Sequence, residues 1–195
     1  MNCGIYPIID PPEHLRGHGR PRNWSEQIAQ EHFDWFTGIL EERIRTLLGF
    51  FEASSPSRGG EHRFLLDLGA AVSERLSTEP NFRELSGKIE LTAPGLSMAH
   101  DMGIMVAQLI VDSADGTVRW QLLKEPRRAL EFNMPVLVGR VPTLILDPIR
   151  GSLTEAKAIL RGAELSDIWA RTYDFWLERF TSDKVLQARR ASLPN

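Results

Sequence analysis

The sequence predicts an α+β fold: a mainly helical single domain with a small antiparallel sheet of about three strands and a buried central helix. Three observations lead there. Residues 94–112, PGLSMAHDMGIMVAQLIVD, are the most apolar stretch of the chain. Long apolar stripes at helical spacing precede and follow it, and three short β-prone runs broken by proline and glycine lie just after it. Strand runs gathered together rather than alternating with helices point to an antiparallel sheet.

The central stretch has two readings. Ile104 to Val111 would make a strand with apolar residues on both faces, but nineteen residues are long for a strand and ordinary for a helix. As a helix, Ser97, Asp101, Gln108 and Asp112 fall near one side, while Leu96, Ala99, Met102, Val106, Leu109 and Ile110 cover the others. Pro94 suits a first turn, and Met98, Met102 and Met105 suit a helix gripped on several sides. Gly103 would cost about 1 kcal/mol against alanine in mid-helix, so close approach of a neighbouring backbone is expected there.

Taken in order, residues 1–22 include PPEHLRGHGRP and read as an extended arm, pinned by Ile5, Tyr6, Ile8 and Ile9. A single domain over 23–183 follows, with a frayed tail over 184–195. The first helix is capped by Asn23 or Ser25, with Glu26 completing a capping-box spacing from Asn23. Its stripe is Ile28, His32, Phe36, Leu40, Ile44, Leu47 and Phe51. Phe33, Trp35 and Phe36 project around about 300° of this helix, so it is either enclosed within the monomer or partly turned to another chain. SSPSRGG is a flexible connection, and a second helix runs from about Glu61 to Ser77.

Gly87 to Leu91 is an edge strand or a loop. Beyond the central helix, SADG is a turn, and Thr117–Leu123, Met134–Val138 and Thr143–Leu146 are strands. Ser152 and Glu155 match a capping box for the next helix, with Gly162 as its stop. The last helix starts at Ser166 and carries Trp169, Tyr173, Trp176 and Phe180 at steps of four, three and four.

Composition bounds the function. The chain has 195 residues and a net charge of −3, with 26 acidic and 23 basic residues well mixed, which gives no electrostatic footprint for nucleic acid or membrane. Cys3 is the single cysteine, so no internal disulfide forms. The start lacks a basic region followed by an apolar core, so a cytoplasmic location is expected, and the Asn23-Trp24-Ser25 acceptor pattern is read as chance. The apolar stretch, interrupted by His100, Asp101 and Gln108, does not read as a membrane span.

No nucleotide-binding, metalloprotease, hydrolase or paired-cysteine motif occurs. His14 and His18 have a metal-ligand spacing, but Gly17, Gly19 and Pro21 break the helix that would align them, so neither metal nor cofactor is expected. Lys124, Arg127 and Arg128 read as a solvated basic turn. His100, Asp101 and Gln108 are the candidate ligand-binding residues, because polar groups in an apolar helix need partners. Adjacent helical residues point about 100° apart, so His100 and Asp101 do not form a dyad by local geometry, and no catalytic residue is assigned. Trp35, Trp169, Tyr173 and Trp176 are the candidate partner-binding residues, since such aromatics are favoured interface anchors.

Phe33, Trp35, Phe36 and Arg43 in EHFDWFTGILEERIRTLL, then Asp101, Gly103, Trp120 and Pro135 in DMGIMVAQLIVD…VRW…NMPVLVG, resemble uncharacterised bacterial α+β proteins. Proteins of that type are similar to immunity or accessory proteins of bacterial toxin systems. The resemblance implies binding of a protein partner, a toxin or a second copy of the chain, without catalysis. The first expectation is therefore a non-catalytic partner-binding protein. The alternatives are an enzyme or small-ligand binder built around His100 and Asp101, and a structural homo-oligomer. Concavity separates the first two, because a ligand site needs a pocket of a few hundred Å³.

Overall fold

The computed structural model describes residues 4–141, 143–163 and 167–182. The helices are α1 (Glu26–Phe50), α2 (Glu61–Leu76), α3 (Ala93–Ser113), α4 (Pro148–Leu160) and α5 (Ile168–Thr181). The strands are β1 (Phe82–Leu85), β2 (Lys88–Leu91), β3 (Arg119–Leu122), β4 (Pro135–Val138) and β5 (Ile145–Leu146). The fold is α+β, with an antiparallel hairpin β1-β2 and an antiparallel sheet of order β3-β4-β5.

The apolar stretch is a helix, and it is central. It packs against α1, α2, α4 and α5, and Met98, Ala99, Met102, Ile104, Ala107 and Ile110 are fully buried. Pro94 lies in its first turn, where a missing N–H costs no hydrogen bond. Beyond its C-terminus, Asp115 and Gly116 take φ of 46° and 74° to make the turn expected at SADG. Gly103 is where α4 crosses. A Cβ there would lie 2.6 Å from Ser152 Oγ and 2.7 Å from the Pro148 carbonyl oxygen, so the absent side chain sets the distance between the two helices.

Several local expectations are corrected. The cap of α1 is Ser25, whose hydroxyl accepts the Ile28 N–H at 3.2 Å; Asn23 instead ends a 3-10 turn over Pro21–Asn23. The segment Gly87–Leu91 is half of a hairpin whose other strand, β1, the sequence reading missed. Ser152 and Glu155 do not cap α4. That helix begins four residues earlier, at Pro148, where the Asp147 carboxylate accepts the Arg150 N–H at 2.9 Å. Ser152 is buried within the helix and donates to the Ile149 carbonyl. The capping pattern was real, but an aspartate followed by proline forms an earlier start. The expected start at Ser166 and the frayed tail lie outside the described residues.

The arm is held by fewer side chains than expected. Tyr6 is buried, but Ile5 and Ile8 are 67% and 53% exposed. What fixes the arm is polar. Arg43 of α1 donates from Nε to Asp101 Oδ1 at 3.0 Å and from an Nη to Oδ2 at 2.6 Å, and the Tyr6 hydroxyl donates to the same Oδ2 at 2.5 Å. The same guanidinium reaches the Pro7 carbonyl at 2.9 Å, and one helical turn away the Ile9 N–H donates to Ser97 Oγ at 2.9 Å. Burial pushes the Asp101 carboxyl upward while the Arg43 and Tyr6 bonds pull it down. Burial works against the Arg43 charge, but its bonds to Asp101 more than offset that and hold it above its ordinary value. A guanidinium stays protonated, and although burial leaves the Asp101 carboxyl above its ordinary value, the two meet as an ion pair at 2.6 Å.

Removing one partner leaves a buried unpaired charge, and Arg43→Met is expected to cost about 3–5 kcal/mol in denaturant unfolding. Replacing the set together, Tyr6→Phe with Arg43→Met and Asp101→Leu, is expected to recover most of that loss; an additive loss would contradict the network. Gly103→Ala should destabilise by about 1–3 kcal/mol through overpacking despite alanine's better helix propensity. A neutral or stabilising result would mean that α4 yields freely.

Candidate functional site

Two helices present matching stripes to one cavity. On α1 the residues are His32, Trp35, Phe36 and Ile39; on α3 they are Ala93, Leu96, Ser97 and His100. Each set is spaced i, i+3, i+4, i+7, one continuous helical face. The arm covers the gap with Ile8, Ile9 and Pro11, and the starts of β4 and α4 close it with Met134, Pro135 and Ile149. The cavity measures about 300 Å³ and is mostly apolar.

The polar groups here are few, and two are unspent. Ser97 is occupied by the Ile9 N–H. His32 lies against the rings of Trp24 and Trp35, at centroid distances of 4.8 and 5.3 Å, and its Nδ1 is buried without a hydrogen-bond partner. His100 forms no hydrogen bond or ion pair with any described residue. Burial, helped by the Arg43 charge, pushes the His100 imidazole down to about 4, and burial also lowers His32. Both rings are therefore neutral at physiological pH, each with one N–H and one bare nitrogen.

The other expected residues fall elsewhere. Asp101, adjacent to His100, is fully buried and committed to Arg43 and Tyr6, so it does not face the cavity. Gln108 is two turns further along α3, bonded to Asp112 at 2.8 Å beside a different cavity of about 330 Å³ with Ser55 and Arg58. Trp169 and Tyr173 are interior. A Cβ on Gly69 would lie 2.5 Å from Trp169 Cδ1, which shows how closely α2 holds that ring, and the Tyr173 hydroxyl pairs with Ser113 at 2.9 Å. Neither is available to a partner surface in this fold. Trp35 is half-buried on the histidine cavity, and Trp176 is half-buried on α5. His32 is the residue that sequence reasoning missed: at a stripe position it passed for core, and only the facing stripe of α3 reveals the cavity.

A second cavity of about 390 Å³ lies between α4 and α5, with Trp176, Phe175 and Glu155. Its charged and hydroxyl groups are already paired, although the buried Nε1 of Trp169, which also lines it, has no hydrogen-bond partner. The Thr172 hydroxyl donates to Glu155 at 2.5 Å, and Arg171 pairs with Asp167. Among the described residues no three histidine, cysteine or acidic side chains come together as a metal site; His18 Nε2 lies 2.7 Å from the His14 carbonyl oxygen instead. No described helix is long and apolar enough to cross a membrane. Compared with protein-family models, curated proteins and solved structures, the chain matches none.

The lowered His100 value has a pH signature. Between about 6.5 and 4 the unfolded chain binds a proton that the folded protein does not, so stability is lost as pH is lowered through that window. The effect is on the order of 2–3 kcal/mol. His100→Phe should flatten the unfolding free energy between pH 6.5 and 4; an unchanged slope would mean that the ring is hydrated.

Proposed function

We propose that the protein binds a small, neutral, largely apolar molecule carrying a hydrogen-bonding group, in the cavity between α1 and α3. The observation that supports this reading is that His32 and His100, two neutral imidazoles, line one apolar cavity, with the Nδ1 of His32 buried there without a hydrogen-bond partner. A buried polar group without a partner is costly, and a ligand that supplies the partner recovers that cost.

The surroundings narrow the ligand. Arg43 and Asp101, the nearby charges, are spent on one another, so no fixed charge is left to neutralise an ionised guest. A volume of about 300 Å³ is at the small end of ligand cavities and suits about a dozen non-hydrogen atoms. Phenols, aromatic alcohols and primary amides have the required form. Neither imidazole is oriented by a carboxylate, since the histidine–carboxylate contacts among the described residues involve His14 and His62. General-base catalysis normally uses such a partner, so the reading is binding rather than turnover.

Isothermal titration with 1-naphthol tests this. Saturable binding is expected, weakened at least about tenfold by His100→Leu and by His32→Phe, and weaker for 1-naphthoate, which is anionic. Failure of 1-naphthol and benzamide alike to bind, or binding indifferent to both substitutions, would remove the proposal.

A further inference from the structure

The β1-β2 hairpin has an open edge beside a cationic wall. Ser86 and Gly87, at φ 53° and 75°, form the two-residue turn that a tight hairpin needs, and the register pairs Leu85 with Lys88 and Glu84 with Ile89. The pair flanking such a turn exchanges hydrogen bonds, so the N–H and C=O of Ile89 in the next pair point away from β1. Nothing among the described residues meets them.

A cavity of about 580 Å³ is lined by the consecutive residues 87–91, together with Leu96, Lys157 and Arg161. Successive strand residues alternate between faces, so a cavity touching five in a row lies along the strand's edge. The wall is positive although the chain is net negative. The side chains of Lys88, Lys157 and Arg161 have no ion pair or hydrogen bond with any described residue, and Glu90, the one carboxylate of the lining, is held by Arg83 at 3.2 Å. Ile89 and Leu96, 40% and 39% exposed, add apolar footholds.

We propose that this edge is a docking groove for an extended acidic segment of a partner protein, added to β2 as a third strand of the hairpin sheet. Main-chain bonds to Ile89 would hold the strand, and Lys88, Lys157 and Arg161 would select its acidic side chains. A second copy of this chain is a poor occupant, because edge-to-edge pairing would bring two cationic walls together. A small anion would leave the edge groups of Ile89 unpaired. The groove is separate from the histidine cavity, and neither proposal depends on the other.

The probe is the peptide Ac-EVEVEV-NH2, with Ac-KVKVKV-NH2 as the charge-reversed control, read by titration calorimetry and by amide exchange at Ile89. The acidic peptide is expected to bind saturably, less tightly at higher salt, and to slow exchange at Ile89. Lys157→Glu with Arg161→Glu should weaken binding at least about tenfold, while His100→Leu leaves it unchanged. Ile89→Pro removes the outward N–H without breaking a bond to β1 and should also weaken binding; should that variant not fold, the charge reversal on α4 decides alone. Equal binding of both peptides, saturation without protection at Ile89, displacement by free glutamate at equal concentration, or dimerisation through this edge would each overturn the proposal.

Discussion

The Arg43–Asp101–Tyr6 network is the constraint on which the rest of the structure depends. Asp101 is fully buried in the most apolar helix of the chain, where an unpaired carboxylate would be untenable. Its partners come from α1 and from the arm, so satisfying one side chain fixes three segments at once. Such pairs are weak evidence for added stability, because desolvation consumes much of the attraction. Their contribution here is positional. Sliding α3 against α1 by even one residue would separate the guanidinium from the carboxylate and leave both charges buried, so the register of the two helices is specified by electrostatics where apolar packing alone would tolerate alternatives.

That register makes the histidine cavity. With Arg43 opposite Asp101, the stripes beginning at His32 and Ala93 face each other, and the arm, tied at Tyr6, Pro7 and Ile9, passes over the gap between them. The site and the ion pair are neighbours on the same helix with opposite fates: Asp101 is saturated with partners, whereas His100, one residue before it, has none among the described residues. A helical step of about 100° is enough to separate a structural role from a binding one.

The large elements were legible from the sequence because periodicity is a local property. The stripes of α1 and α2 and the apolar run of α3 could be read within single windows, as could strand β3 and the proline-flanked strands β4 and β5. What could not be read was pairing between distant segments. β1 was missed because FREL has no clear alternation and acquires its strand character only from KIEL across the turn. The start of α4 was misplaced because two residues of capping type lie five apart, Asp147 and Ser152, and only Asp147 caps, while Ser152 packs inside the helix interface at Gly103. At the site, His100 stood out as polar in an apolar helix, while His32 was concealed in an otherwise ordinary stripe. Trp169 and Tyr173 were judged by residue type, and the close approach of α2 at Gly69 that encloses Trp169 has no signature beyond a single glycine.

The contact between Tyr6 and Asp101 spans 95 residues of sequence. A chain made from its N-terminus therefore releases the arm, then α1 and α2, long before the acceptor for the tyrosine hydroxyl exists. Until α3 emerges, the Arg43 guanidinium and the arm have no native carboxylate to meet, and the apolar faces of α1 and α2 lack the helix they enclose. Loop-closure entropy must be met before any of these contacts contributes. The arm around Tyr6 is consequently among the last segments to find its place, and assembly of the domain is gated by synthesis of its centre.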